Sequence, residues 1–266
     1  MPRNIISTFT IFKNKFNMKS TSLFVAVLLI FFGMATISCT DKTPAPTPTG
    51  TFYLHMHTDI DTNEVDAGTV AVDADGRHFQ LDVAKFLITG VQLKKTDGTF
   101  LAVDNVYLQK TIEEEQYLVG EVPAGNYLAV RFNVGVDATD NAKSPTSFSA
   151  SNPLSDPTAW FGSTTQGYIF MDLQGKADVS ATQTGPVDQA FSYQLGTSSM
   201  LKTVTLPDQA FTIAANRDNL VHIIADYGAV LSGVDFKTQP TATPFSNAAV
   251  AQQIADNIAN MFRYEE

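Results

Sequence analysis

From residue 51 onward, the sequence repeats one pattern of short runs rich in Val, Ile, Leu, Phe and Tyr, separated by turn signals. The turn signals include Ala-Asp-Gly at 74–76 and Thr-Asp-Gly at 96–98. Within the runs, apolar and polar residues alternate, as in Val-Gln-Leu-Lys at 91–94. A period of two is typical of strands that bury one face, and turn signals at intervals of roughly ten residues indicate antiparallel sheets. The sequence therefore predicts an all-β fold, an antiparallel β-sandwich or a barrel-like domain.

The apolar runs also predict where the individual strands lie. Brief helical turns are expected at 83–87 and 226–233. Strands are expected at 51–57, 69–73, 78–83, 86–94, 100–103, 106–110, 116–121, 126–135, 167–174, 190–196, 201–205, 209–214 and 219–225.

The end of the sequence changes to a helical period. Val250, Ile254, Ile258 and Met261 recur at intervals of three and four residues behind a Ser-Asn capping signal. This spacing predicts a C-terminal amphipathic helix over 247–262.

One long stretch, 136–166, is polar and rich in Ser, Thr, Asn and Pro. Loops of this length inside a compact domain usually have a function. We therefore keep as an alternative function a metal-free, cell-surface interaction module that binds a protein or a glycan through loop 136–166.

The N-terminal region has the layout of a bacterial lipoprotein signal. An almost wholly apolar run at 23–37 follows three lysines and leads to Ser-Cys at 38–39, and Cys39 is the single cysteine of the sequence. The run is too short for a membrane-spanning helix, which needs about 20 apolar residues. We expect a signal peptide over 1–39, with the true start possible at Met18, and a lipid on Cys39.

The segment that follows contains three prolines and no large apolar residue, so 40–50 is expected to be a tether and 51–266 a single domain. A lipid on Cys39 would anchor the protein to a membrane. The predicted location is the bacterial cell envelope, as an outer-membrane lipoprotein that faces the periplasm or the cell surface.

Charge and cysteine content exclude several functions. Four of the 17 Lys and Arg residues and none of the 27 Asp and Glu residues precede Cys39, so 13 basic and 27 acidic residues follow it and the formal charge there is −14. Such a surface repels nucleic acid. With Cys39 lipidated, disulfides and thiol catalysis are excluded. The GxSxG, P-loop, HExxH and GxGxxG motifs are also absent from the sequence. We expect a binding protein and no enzyme.

Two histidines are the strongest candidates for metal ligands. His55 and His57 stand two apart in a predicted strand, so both side chains leave the same face. Pairs of imidazoles favour copper and zinc. The alternative is that both are ordinary polar positions on a solvated strand. His222, inside Leu-Val-His-Ile-Ile, is interpreted as a core histidine because apolar residues flank it.

Several segments together resemble the MbnP-like domain family, which includes periplasmic and surface copper-binding proteins and lipoproteins. The family has a G..F.V strand, then KY.ISNV.L, VP.G.Y....F..G, W......GY.F..LEG and F.YHLG. The similar segments here are 76–81, 85–93, 122–127 with 132–136, 160–175 and 191–196.

The resemblance implies a copper site in which histidines lie near a tryptophan that a partner dihaem peroxidase-like protein oxidises to kynurenine. By motif position, His57 or His55 matches the histidine of the first strand, and Trp160 matches the tryptophan. A simpler interpretation of Trp160 is that it closes one end of the sandwich.

Tyr168 and Gln194 are the further residues that the resemblance places at the site. Gln194 stands where F.YHLG has histidine, and Ile169 stands where some members have another histidine. A glutamine oxygen is a weak ligand for Cu(I), and isoleucine offers no ligand atom.

Overall fold

The computed structural model of the protein describes residues 47–265. The predicted signal peptide, the lipidation site at Cys39 and residues 40–46 of the predicted tether lie outside the described residues and stay predictions. The described residues belong to one compact unit. Its first strand starts at Thr49, so the last two residues of the predicted tether belong to the domain.

The described residues form mostly strands. The strands are β1 Thr49–Ile60, β2 Asn63–Glu64, β3 Val70–Val72, β4 His78–Lys95, β5 Phe100–Ala102, β6 Tyr107–Lys110, β7 Gln116–Pro123, β8 Gly125–Val134, β9 Ile169–Ala177, β10 Gln189–Gly196, β11 Lys202–Thr205, β12 Phe211–Ile213, β13 Asp218–Asp226, β14 Thr241–Ala242 and β15 Phe262–Tyr264. The α-helices are α1 Ala138–Asn141, α2 Tyr227–Val230 and α3 Ala248–Asn257. The 3₁₀ turns are Pro145–Ser147, Pro153–Ser155, Pro157–Ala159, Ser198–Met200 and Ile258–Asn260.

Within residues 47–265 these strands make two sheets. The five-stranded sheet has the order β15-β13-β1-β2, and β7 also pairs with β1. The ten-stranded sheet has the order β11-β8-β4-β9-β10-β14, with β12 on β8 and with β3, β5 and β6 on β4. Most pairs are antiparallel, as predicted, but β1 with β13 and β10 with β14 are parallel.

The core lies between the two sheets. In β1, Phe52, Leu54 and Met56 point inward and have no exposed surface, whereas the alternate residues point outward. They join one apolar cluster with residues of the ten-stranded sheet such as Phe86 and Leu173. Two sheets that bury their facing sides against each other form a β-sandwich, so the predicted all-β sandwich class is confirmed.

The helical turn expected at 83–87 does not form. β4 continues through it, with Val83, Ala84, Lys85 and Phe86 paired to β9, and the register of this pairing shifts between Leu81 and Val83. Pairing to a neighbouring strand satisfies the backbone polar groups of these residues better than an isolated helical turn would. The turn expected at 226–233 is partly present as α2.

The C-terminal helix is shorter than predicted. α3 ends at Asn257, a 3₁₀ turn follows, and Phe262–Tyr264 forms a strand on β13 instead of completing the helix. Phe262 and Tyr264 are buried around the more exposed Arg263, which is the alternation of a strand. Between residues 47 and 265, no helix combines the length and apolarity that crossing a membrane requires.

Candidate metal centre

His55 and His57 lie side by side on the outer face of the five-stranded sheet. They occupy the outward positions of β1, between the inward residues Leu54, Met56 and Thr58. Their ring centroids are 4.7 Å apart. Only 18% and 16% of the two side chains are exposed, so both imidazoles are largely withdrawn from water.

His222 joins this pair from β13. In the parallel register it stands directly opposite His55, and the centroids of these two rings are 4.5 Å apart. Its side chain is 47% exposed, while Val221 and Ile223 on either side of it face the core. The interpretation of His222 as a core histidine was therefore wrong, because a single polar residue between buried ones in a strand points outward.

The three residues form what we call the histidine cluster. One ring nitrogen from each of His55, His57 and His222 can be chosen so that all three atoms lie within 4.8 Å of one another. One ion with nitrogen ligands at about 2.0–2.1 Å needs ligand atoms about 3.4 Å apart, so small side-chain rotations suffice to bind it.

Three glutamates surround the histidine cluster, one beside each ring. Oε2 of Glu115 lies 3.3 Å from Nε2 of His55, and Oε1 of Glu64 lies 3.1 Å from Nδ1 of His57. Oε2 of Glu265 lies 3.0 Å from Nδ1 of His222. In proteins, a histidine that binds a metal through one nitrogen usually donates its other N–H to a carboxylate or carbonyl, which fixes the ring orientation.

The nitrogens on the opposite sides of two of these rings have no hydrogen-bond partner. They are Nδ1 of His55 and Nε2 of His57, and both are buried. A buried polar atom without a partner costs about 1–3 kcal/mol. A metal ion between the rings would satisfy both atoms, so the residues present fit a transition-metal ion.

The environment affects the protonation of the two β1 histidines in opposite directions. Burial, with the neighbouring charges of His222 and His57, lowers the pKa of His55 below its ordinary value. Burial also acts to lower the pKa of His57, but the hydrogen bond to Glu64 and the charges of Glu265 and Glu115 outweigh it and raise this pKa. His55 is therefore held in the neutral form that binds metals, whereas His57 stays protonated to a higher pH.

A second grouping of ligand atoms shares His57. Ligand atoms of His57, Glu64 and Glu115 also lie within 4.8 Å of one another. In this group, Glu64 contacts Nδ1 of His57 and Glu115 contacts Nε2 of His55, and neither of these is an unpartnered nitrogen. The unpartnered nitrogens favour the histidine cluster as the position of the ion.

Trp160 and Tyr168 lie elsewhere. An isolated antiparallel bridge joins them in the loop before β9. They belong to a second apolar cluster, called here the loop cluster, which consists of Leu87, Val136, Leu154, Tyr168 and Phe170 with Tyr107, Phe148, Trp160 and Leu201 packed against it. Leu87 points away from the core residues that flank it in β4, so the loop cluster covers the outer face of the ten-stranded sheet. Trp160 thus packs against the loop cluster, whereas the histidine cluster lies on β1 and β13.

Gln194 is also on the ten-stranded sheet. It is an outward residue of β10 and pairs with Asp172 of β9, which in turn pairs with Lys85 of β4. Nζ of Lys85 is 4.0 Å from Oδ2 of Asp172. Ile169 is buried opposite Gly196. The structure thus brings His55 and His57 together with His222, and leaves Trp160, Tyr168 and Gln194 apart from them.

The fold and the site together define a class of protein: a β-sandwich that presents a carboxylate-ringed histidine cluster suited to a transition-metal ion. The chain belongs to the MbnP family, whose family model, described as MbnP, matches residues 49–247. The family resemblance expected from the sequence is confirmed.

Among solved structures, the chain is similar to MbnP from Methylosinus trichosporium, with 13% sequence identity and a TM-score of 0.48. The match covers 68% of this chain and 77% of that one. Comparison with curated proteins gave no match.

Proposed function

We propose that this protein binds one transition-metal ion, copper, through His55, His57 and His222. The observation that carries this proposal is the contrast between the two nitrogens of each imidazole ring. In both His55 and His57, one nitrogen is held by a carboxylate and the other is buried without a partner. Imidazole ligands suit copper and zinc, and the family resemblance favours copper.

The proposed ligation does not involve Trp160. The ligand set consists of His55, His57 and His222, while the indole packs against the loop cluster. Oxidation of Trp160 by a dihaem peroxidase-like partner is a separate proposal, which rests on the family resemblance. Mass spectrometry of the native protein tests it, because kynurenine gains oxygen and loses carbon relative to tryptophan.

We further propose that the protein acts by binding rather than catalysis, as a lipoprotein of the bacterial cell envelope anchored through Cys39. The apolar run at 23–37, the proline-rich segment at 40–50 and the charge of −14 after Cys39 support this. Two acyl chains attach a protein stably, whereas one chain attaches it only reversibly.

A groove supports the alternative function as an interaction module. It has a volume of about 620 Å³ and lies between residues 150–156 of loop 136–166 and strands β6 and β7. Tyr53 and Tyr107 line it together with Gln116 and Asn152, a mixture of aromatic and amide groups that suits a glycan. A glycan array on metal-free protein and its Tyr53→Ala variant tests this function.

The metal proposal is tested by copper uptake of the full-length protein in detergent, measured by competition with a chelator of known affinity. We expect one ion per chain, and a loss of affinity of about 100-fold or more in His222→Ala and His55→Ala, because each removes a direct ligand. His78→Ala is the matched control, since His78 lies outside the histidine cluster. Unchanged uptake in His222→Ala and His55→Ala would contradict the proposal.

A further inference from the structure

Glu265 differs from the other two glutamates beside the histidine cluster. It directly follows β15, which pairs with β13, and its backbone N–H donates to the carbonyl of His222 at 3.3 Å. This brings its side chain onto the outer face of the five-stranded sheet. Oε2 of Glu265 is 3.0 Å from Nδ1 of His222 and 3.4 Å from Nε2 of His57.

The contact with His57 is the informative one. Nε2 of His57 is the buried nitrogen that has no hydrogen-bond partner, so its approach to Glu265 is close without being a hydrogen bond. Two ligand atoms that share a four-coordinate ion lie about 3.4 Å apart. The Glu265 oxygen therefore stands where a second ligand atom of the same ion would be.

Glu64 and Glu115 do not share this position. Glu64 faces Nδ1 of His57, and Glu115 faces Nε2 of His55, which in each case is the nitrogen opposite the unpartnered one. Their geometry orients the rings, as carboxylates behind metal-binding histidines do. Glu265, in contrast, contacts the unpartnered Nε2 of His57 at 3.4 Å.

We propose that Glu265 is the fourth ligand of the ion and that it makes the site prefer divalent over monovalent copper. This inference rests on the proposed function. A carboxylate oxygen is a hard, anionic ligand that suits Cu(II), whereas the softer Cu(I) favours nitrogen and sulfur ligands and gains little from it. Three imidazoles alone would serve both oxidation states.

Glu265→Gln is the variant that tests the inference in the full-length protein. Glutamine keeps an oxygen that can accept a hydrogen bond from Nδ1–H of His222, but it loses the charge and is a weak ligand. The Glu265 side chain is 42% exposed, so the substitution does not disturb the core. Glu64→Gln is the matched control, because it changes a carboxylate that contacts the far nitrogen of His57.

Affinities for Cu(II) and Cu(I) are measured by competition with chelators specific for each ion. We expect Glu265→Gln to weaken Cu(II) binding at least tenfold and to leave Cu(I) binding within about twofold. Each tenfold loss of Cu(II) affinity relative to Cu(I) affinity raises the Cu(II)/Cu(I) reduction potential by about 59 mV. Glu64→Gln should weaken both ions to the same extent, since ring orientation serves both.

The inference is overturned if Glu265→Gln leaves Cu(II) affinity unchanged, or if it weakens Cu(I) as much as Cu(II). The first result would mean that Glu265 only orients His222, and the second that it has no preference between oxidation states. If His222→Ala binds both ions like the wild type, the proposed function itself fails. If the wild type binds copper, His222→Ala loses it and Glu265→Gln has no effect, then only the assignment of Glu265 as the fourth ligand fails.

Discussion

His55 and His57 flank Met56 in the sequence, but their surroundings shift their pKa values in opposite directions. Both lie on the outward side of β1, but Nδ1 of His57 is hydrogen-bonded to the carboxylate of Glu64 at 3.1 Å, whereas the ring of His55 lies between two other imidazoles. The protonation of these two histidines is thus set by what each ring contacts across the sheet.

We expect the two rings to titrate on opposite sides of the ordinary histidine value in metal-free protein. His55 should titrate below it because of burial and its imidazole neighbours, and His57 above it because of Glu64. Glu64→Gln should lower the pKa of His57. Proton NMR of the ring protons across pH 5–8 measures both values. Identical titration of the two rings, or no response of His57 to Glu64→Gln, would contradict this account.

Lys110 is a charged residue with no exposed surface. Its Nζ donates to Oγ1 of Thr58 at 2.8 Å, to the carbonyl of Glu114 at 3.1 Å and to the carbonyl of Thr111. Burial lowers its pKa to about 8, against the opposing charges of the nearby glutamates. The buried cation is therefore a cost to folding at neutral pH that its hydrogen bonds only partly offset.

The pH dependence of stability should reveal this residue. Between pH 8 and about 10.5 the unfolded chain binds the proton of Lys110 more tightly than the folded one, so this residue's contribution to the free energy of unfolding increases as pH rises. Relative to Lys110→Met, the wild type should gain roughly 1–2 kcal/mol between pH 7 and pH 9.5. Urea denaturation of both proteins at the two pH values measures it. A constant difference between them would show that the pKa of Lys110 is not lowered.

At the scale of elements, the parallel pairing of β1 with β13 builds the site. The period of two in β1 was enough to predict that His55 and His57 share a face. It could not predict His222, because neither the partner strand nor its parallel register is written in the local pattern of either strand. The apolar residues around His222 suggested a buried strand; Val221 and Ile223 are buried, but they point to the core while His222 points outward.

Local sequence patterns also gave wrong predictions where pairing with distant strands outweighed local helix propensity. Ala84, Lys85 and Leu87 favour helices in isolation, yet they lie within the longest strand of the described residues, where the first two pair with β9 and Leu87 pairs with β6. Ile258 and Met261 continue a helical period past the end of α3. The next residues nevertheless form a strand on β13, because Phe262 and Tyr264 bury their side chains there on one face. The number and spacing of most strands could be predicted, whereas partners and ends depended on contacts far along the chain.

Asp226 connects the elements at one end of the five-stranded sheet. Its Oδ1 accepts from the N–H groups of Gly228 and Ala229 at the start of α2, and from that of Asp61 after β1, at 2.9–3.2 Å. Its Oδ2 lies 3.5 Å from Nη1 of Arg263 in β15. One carboxylate therefore caps a helix and ties the strands that carry the histidine cluster.

Replacing this residue should destabilise the domain measurably. We expect Asp226→Ala to lower the free energy of unfolding by about 1–3 kcal/mol, because three backbone N–H groups lose their acceptor. Asp226→Asn keeps an oxygen at the same position and should cost less than half as much. Urea denaturation distinguishes the two variants. Equal losses would assign the effect to the charge near Arg263 instead of to capping.

At the scale of the whole molecule, the histidine cluster and Trp160 belong to different groups of packed residues. The five-stranded sheet carries the histidine cluster, and Trp160 packs against the loop cluster, which includes Leu87 of the ten-stranded sheet. Sequence motifs in a fixed order indicated the family, but they gave no information about which sheet each motif occupies. The proximity of the histidines to the tryptophan, which the resemblance implied, stays a prediction.

Trp160→Phe tests whether the indole contributes to copper binding. Since the indole packs against the loop cluster, we expect the variant to bind copper with an affinity within about twofold of the wild type. The same chelator competition measures it, with His55→Ala as the variant that should lose binding. A large loss of copper affinity in Trp160→Phe would mean that the indole is part of the copper site.

The pairing of an early strand with a late one also fixes when the site comes into existence. During synthesis His55 and His57 appear long before His222, and Glu265 appears later still. An ion therefore meets the full set of ligands only after β13 and β15 have docked beside β1. Uptake of the proposed ion would thus be confined to molecules that have finished folding, and a bound ion would mark a chain as mature.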